Sequence, residues 1–437
     1  MGSQKHDERL DYALGIDAKD MADGCLDYGL MLPEYEHPEE LRIRQGMPNA
    51  LNKLIGGGRV AVGYIGGSIT QQNGWRPRTT AWLKSRFSSA QIVEINAAIS
   101  GTAADFGAAR IDEHVLAYDP DLVFVEFVVN GGDIPSMEGL VRKIRKRNPH
   151  TDICFVYTLK ADRIPSYQPG AEPILPDSLT AFEAVADHYG IPSIDFGYVL
   201  GDLYAKDRLV PVAKEEIDPA GRFGFSKDGV HPIGPGDQLY AGAVARSILR
   251  MEKRLGPPVA HPLPDPLSEK NWENATMANA DLYNTNLEVL NTKDDDFGSR
   301  FPYRGQNFGM IRSIFPSLVK LAAPGDSVTV RFRGTRIGIA DAGGPFSGQL
   351  RAVIDGHTEQ IVNRFSPYNA NLRHQVEFLP ELEEGEHTVT FTLMSESPDK
   401  RSIIRRKEDY DRDPEAFREN EVYLGKFLVV GEFLSTQ

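Results

Sequence analysis

Along residues 59–196 short apolar runs alternate with stretches of helical periodicity. The runs at 59–65 (RVAVGYI), 91–96 (QIVEIN), 121–129 (DLVFVEFVV), 152–158 (DICFVYT) and 191–196 (IPSIDF) are rich in Val, Ile and Phe. Near-continuous runs of this kind suit strands buried on both faces. Between them, WRPRTTAWLKSRF pairs Trp75 with Trp82 and Phe87 on a helical period, and AADFGAARIDEHVLAY and SLTAFEAVADHYG alternate likewise. Strand and helix in alternation predict an α/β domain with a mostly parallel sheet. A last amphipathic segment, GDQLYAGAVARSILRMEKRL, closes it.

The pattern then changes. Residues 257–266 (PPVAHPLPDP) hold five prolines in ten, a composition that suits a stiff extended connector. Beyond it the period becomes two, in SVTVRFRGTRIGIA, QLRAVIDG, EHTVTFTLM and VYLGKFLVVGEF, punctuated by PGD, AGG and DGH turns. This predicts an antiparallel, jelly-roll-like β-sandwich. The charged stretch 396–420 reads as a surface excursion from it. The expected organisation is a polar lead-in over 1–45, an α/β domain over 46–256, a linker over 257–269 and a β-sandwich over 270–437.

Composition narrows the function classes. The chain has 437 residues, enough for two domains, and a formal net charge of −14. That charge argues against nucleic acid or an anionic membrane surface as a partner. The one dense basic run, RKIRKR at 142–147, alternates with Ile144 and is expected to be a solvated helix face. Cys154 sits in an apolar run and Cys25 is far away, so no disulfide framework is expected. There is no apolar leader or membrane-length stretch, and the reading is cytoplasmic.

In a doubly wound sheet, ligands bind outside the carboxyl ends of the strands. There the first strand is followed by GGSIT, the second by AAISGT, the third by NGGD, and a later segment reads SKDGVHP. Taken singly, Ser68 could cap a helix, Gly101 could be a turn glycine, Asn130 could close an Asx-turn, and Asp228 and His231 could belong to a surface turn. Taken together, a hydroxyl, an acid–histidine pair and extra hydrogen-bond donors at one sheet edge are the parts needed for acyl transfer. Serine is a poor nucleophile until a histidine takes its proton, and that histidine needs a carboxylate to fix its tautomer. Gly229 allows a turn that puts Asp228 and His231 on the same side. Pro232 biases His231 towards an extended backbone. The N–H groups of Ser68 and Gly101 and the amide of Asn130 are candidates for an oxyanion hole.

These residues resemble the four sequence blocks of the SGNH hydrolases, also called GDSL-type esterases. Ser68 stands in IGGSIT, Gly101 in NAAISGT, Asn130 in EFVVNGGD and His231 in KDGVHP, with Asp228 completing the triad; the resemblance covers residues 59–253. Two departures stand out. Gly67 replaces the Asp of the name-giving motif. In the third block Val128 and Gly131 stand where that family usually has Gly and Asp, so either Asp133 replaces the missing acid or the loop runs differently. The resemblance implies a three-layer α/β/α sandwich with a five-stranded, flavodoxin-like parallel sheet and no cofactor or metal. The ten histidines also lack HExxH or comparable ligand spacing.

The rim loops 71–80, 160–176 and 208–227 read as polar with isolated aromatics, Trp75, Tyr167, Phe223 and Phe225. Aromatic faces beside Arg, Gln and Asn suit a sugar better than an acyl tail. Gln71, Trp75 and Arg76 are the candidates for substrate contact. The C-terminal β-domain is similar to those attached to carbohydrate esterases; a purely buttressing role stays open. The expected activity is O-acetylesterase on an acylated sugar or oligosaccharide, possible homo-oligomers included. An O-acetyltransferase with the same triad, or a sugar-binding protein with a vestigial triad, are the alternatives.

Overall fold

The computed structural model describes residues 32, 34–283, 286–300 and 308–435. Most of the lead-in, with Cys25 and Tyr28, lies outside the described residues. The chain divides into two compact units, which part between Glu273 and Asn274.

The first unit holds a six-stranded sheet. Its strands are β1 (Leu41–Arg42), β2 (Arg59–Gly66), β3 (Gln91–Asn96), β4 (Leu122–Glu126), β5 (Asp152–Tyr157) and β6 (Ser193–Asp195), in the spatial order β1-β6-β5-β4-β2-β3. Strands β2 to β6 run parallel, as the alternating pattern predicts; β1 adds a short antiparallel edge through Leu41↔Ile194. The helices are α1 (Pro48–Ile55), the single turn α2 (Ser68–Gln71), α3 (Trp75–Arg86), α4 (Ala104–His114), α5 (Ile134–Arg147), α6 (Asp177–Tyr189) and α7 (Gly197–Ala205). A pair of short parallel strands, β7 (Leu209–Val212) and β8 (Phe223–Ser226), precedes the long α8 (Gly234–Glu252). Helix α3 packs on α8, and α4 on α5. Val60, Val62 and Tyr64 of β2 point into a core shared with Trp75, Leu83, Phe124 and Tyr240, while Ala61, Gly63 and Ile65 face the opposite way.

Two expectations fail here for one reason. The basic run 142–147 is not a solvated face: Arg142, Lys143 and Arg145 are buried. Arg142 donates to Glu273, to the Tyr189 hydroxyl and to the Pro264 carbonyl, and Lys143 pairs with Asp112. The proline-rich segment lies along the first unit as a strap. His261 meets Asp152 at 2.6 Å, the N–H groups of Leu267 and Ser268 donate to buried Glu138, and the Trp272 backbone sits where a Cβ on Gly139 would be. Local periodicity carries no sign of a distant segment folding back, so it reads a covered face as a wet one.

In the second unit every ladder is antiparallel. The strands are β9 (Ala275–Asn279), β10 (Glu288–Asn291), β11 (Ser317–Leu321), β12 (Ser327–Gly343), β13 (Gln349–Ile354), β14 (Thr358–Asn363), β15 (Arg373–Phe378), β16 (Gly385–Leu393) and β17 (Val422–Phe433). Strand β12 pairs with β16 in its first half and β15 in its second, and shifts register against β17 at Gly334 and Ala340. Val330, Phe332, Ile337, Phe391, Leu424 and Phe427 share its core. The stretch 396–420 is less of an excursion than its charge implies. Lys400 is buried, donates to Pro345 and Glu419 carbonyls and lies over the Phe365 ring, beside a small cluster of Phe365, Ile404 and Phe417.

Candidate active site

Strands β2 and β4 are neighbours with Gly66 opposite Glu126, so the turns that leave them meet at one edge. After β2 the chain needs two glycines for two different reasons. A Cβ on Gly66 would come within 2.6 Å of the Glu126 carbonyl and 2.9 Å of Thr70 Oγ1. A Cβ on Gly67 would lie 2.0 Å from Asn130 Oδ1. The glycine that departs from the GDSL motif therefore makes room for the Asn130 amide. Gly67 is the N-cap of α2 and uses no side chain there; Ser68 is the first helical residue, and its hydroxyl points elsewhere.

That hydroxyl lies 2.7 Å from His231 Nε2, and His231 Nδ1 lies 2.7 Å from Asp228 Oδ2. The turn that holds the pair is self-contained. Asp228 Oδ1 accepts the N–H groups of Val230 and His231 at 2.9 and 2.8 Å, Ser226 Oγ donates to it at 3.1 Å, and Gly229 takes a φ of +83°. Burial alone would raise the Asp228 carboxyl, but these N–H bonds and the imidazole outweigh it and hold the group well below the usual carboxylate range. With an acceptor fixed at Nδ1, the imidazole carries its proton there and turns a free Nε2 lone pair to Ser68.

The other predicted residues divide. Gly101 has a φ of +71° and sits in an exposed turn after β3. Its neighbour Ser100 donates its N–H to Gln71 Oε1 at 2.9 Å, so Gln71, predicted to touch substrate, is engaged in holding the second loop to the first. Asn130 ends a tight turn in which its N–H and that of Gly131 both reach the Phe127 carbonyl. Asp133 does not stand in for the missing acid of that block: it caps α5, accepting the Ser136 N–H at 2.9 Å. Trp75 and Arg76 are corrections. Helix α3 begins at Trp75, so the rim expected over 71–80 is already helical there. Trp75 is fully buried, edge-on to Tyr64, Phe124 and Phe196. Arg76 is buried too, paired with Glu94 and donating to the Thr70 carbonyl at 3.0 Å. Tyr167 and Phe225 are core residues as well, with the Tyr167 hydroxyl on Asp195.

Sequence reasoning missed three polar residues. Glu126 is fully buried beneath the Ser68 turn. Gln72 Nε2 donates to the Pro232 carbonyl at 3.1 Å and to Asp237 at 3.2 Å, tying the nucleophile turn to the histidine loop. Asp237, in the first turn of α8, is buried and lies where a Cβ on Gly74 would be, 2.1 Å away. The Gly-Gly and Gly74 positions were the available signals, since each glycine marks a close approach.

Among the described residues, no group of three or more His, Cys, Asp or Glu side chains could hold a metal, and no helix is long and apolar enough to cross a membrane.

Residues 64–239 match the model of the GDSL-like lipase/acylhydrolase family, which supports reading this domain as a carboxylic ester hydrolase. Its two-unit fold is similar to that of a two-domain esterase active on acetylated mannans. The structure of that esterase co-crystallized with mannopentaose is 18% identical with a TM-score of 0.65, over 89% of this chain and 94% of that one. A second structure of such an esterase is 19% identical with a TM-score of 0.63, over 89% of this chain and 95% of that one. At such identities the likeness describes the fold. No curated protein matches the chain.

Proposed function

We propose that the protein is a serine esterase that removes O-acetyl groups from carbohydrate through an acyl-enzyme. The observation that carries this reading is the unbroken relay from Ser68 Oγ through His231 to Asp228, with both links at 2.7 Å. Ser68 attacks the acetyl carbonyl while His231 takes its proton; His231 then returns that proton to the leaving sugar oxygen. Water, activated by the same imidazole, releases acetate. The N–H groups of Ser68 and Gly101 and the Asn130 amide take the oxyanion. The sugar assignment draws on the two-unit likeness to an esterase active on acetylated mannans. It also draws on the openness of the acid–base pair: the side chains of His231 and Asp228 are 39% and 56% exposed, which leaves a polymer free to approach. The buried state of Trp75, Tyr167 and Phe225 removes the aromatic-rim argument for it.

A second reading, esters with longer acyl chains, has one observation in its favour. Val212 and Ile217 on the 208–227 segment are each 56% exposed, and Val212 lies against the Gly229 turn. Turnover of acetylated mannan and xylan oligosaccharides against p-nitrophenyl esters of two to twelve carbons separates the readings. The sugar assignment expects the acetate esters to be fastest. Ser68→Ala should abolish turnover, and a fluorophosphonate should label the native chain only at Ser68; undiminished turnover by that variant refutes the mechanism.

A further inference from the structure

Beneath the nucleophile turn lies a carboxylate that the relay does not use. Glu126 ends β4 and is 1% exposed. Its Oε2 accepts from Thr70 Oγ1 at 2.9 Å and its Oε1 from Thr158 Oγ1 at 2.6 Å. The Gly67 N–H is a third donor to the same carboxylate. Gly67 immediately precedes Ser68 and Thr70 follows two residues later, so the carboxylate grips the turn on both sides of the reacting hydroxyl. Gly66 is bare where a methyl group would press on both Thr70 Oγ1 and Glu126 Oε2, at 2.9 and 3.1 Å. With the Glu126 carbonyl also 2.6 Å away, only a residue without a Cβ fits beside this strand end and its acid.

We infer that Glu126 is a positioning residue for the hydrolysis, fixing the Ser68 turn and presenting a buried negative charge to the His231 imidazolium as it forms. The inference rests on the reading of Ser68 and His231 proposed above. Three donors converge on the two oxygens, and among the described residues no cation pairs with Glu126. The titratable groups that face it are His231, from the loop before α8, and Tyr240, from α8 itself. Burial raises the Glu126 carboxyl above its ordinary range, against the pull of Thr158, Thr70, the Gly67 N–H and His231. Asp228 touches the imidazole directly at 2.7 Å, orienting it and pairing with its charged form. Glu126, in a dry site where a charge is little screened, holds the Ser68 turn and adds to that field.

The test is the pH profile of p-nitrophenyl acetate hydrolysis by the full chain, native and Glu126→Gln. In the variant kcat should fall roughly 10–100-fold with KM within about twofold, the pattern of an interaction made only in the transition state. The acidic limb of kcat/KM should move to lower pH, because the imidazolium loses a neighbouring negative charge. Glu126→Asp, which keeps the charge, should bring the limb back towards its native place. Thr158→Val removes one donor from the carboxylate, which then protonates more readily, so the limb should move the same way as in Glu126→Gln, to lower pH. A folded Glu126→Gln with kcat within about twofold of native and an unmoved limb overturns the inference. Should that variant not fold, an unmoved limb in Thr158→Val overturns it instead. Failure of the underlying mechanism looks different, since there Ser68→Ala itself would retain turnover.

Discussion

On the sheet side of the site, Ser68 and Asn130 sit on turns that leave adjacent parallel strands, and buried Glu126 ends one of them. On the loop side, Asp228 and His231 sit on a turn that makes its own hydrogen bonds and stands half in water. The difference follows from what each half must do. A nucleophile and an oxyanion hole work by being fixed before the reaction, so they belong on a rigid sheet edge. A base that takes and gives a proton needs a defined tautomer, which a three-residue Asp-x-x-His turn supplies without any help from the core. Besides the Ser68–His231 bond, Gln72 joins the two halves, its amide reaching the histidine loop at Pro232 and α8 at Asp237.

The largest expected effect comes from breaking the loop side. Asp228→Asn keeps the size of the side chain but offers His231 Nδ1 a donor where it needs an acceptor. The imidazole then turns its proton towards Ser68, and kcat should fall by about 10³–10⁴. Because Asp228 Oδ1 also fixes the turn, the comparison is sharpened by measuring Tm alongside. A loss of activity with a Tm shift of only a few degrees identifies tautomer control, and a collapse of both would mean the turn is not self-contained.

Next comes the sheet side. Asn130→Ala removes one candidate oxyanion donor, and kcat should fall about 10²–10³-fold with little change in KM. The competing role, closure of the turn after β4, predicts the reverse: the Phe127 carbonyl bonds come from the backbone of Asn130 and Gly131 and survive the substitution. Steady-state kinetics on the acetate ester decides it, since an intact kcat would remove Asn130 from the oxyanion hole.

The same contrast governs what the sequence makes legible. The parallel sheet and the order of Ser68, Gly101, Asn130, Asp228 and His231 are readable because they reflect strand periodicity and the rule that loops at the carboxyl edge converge. Glu126 escapes that reading. In DLVFVEFVV a lone Glu in an apolar run looks like a strand-edge residue, and only the missing Cβ of Gly66, a contact across two strands, shows what it serves. Trp75 and Arg76 escape it because α3 starts midway through the supposed rim 71–80 and both side chains are buried. The run 142–147 reads as a wet face, but Arg142 is covered by a strap more than a hundred residues later and Lys143 by α4. Each miss involves burial by a non-neighbouring segment, which period and composition do not encode.

The joint itself gives the smallest effect, and it is a thermodynamic one. Asp237 is 6% exposed, and its carboxyl is pushed up to about 7, first by burial and against the opposing pull of Arg78, the Gln72 amide and the Trp75 N–H. In the unfolded chain the same group titrates near 3.8. Below that value both states hold the proton and the fold keeps its full stability. As pH rises from about 4 to 7 the unfolded chain gives the proton up first, so stability drains away at about 1.4 kcal/mol per unit of difference, and above 7 the loss is complete. Asp237→Asn has nothing to titrate and keeps both an acceptor for Gln72 and the shape of the site. The native chain should therefore lose ground to this variant between pH 4 and 7, seen as a gap in Tm that widens from pH 5 to pH 8. Turnover should change by less than about threefold, because Gln72 still reaches Pro232. A gap that stays constant would mean the carboxylate is already ionised at low pH, and the joint between the two halves would then be a charged bond rather than a neutral one.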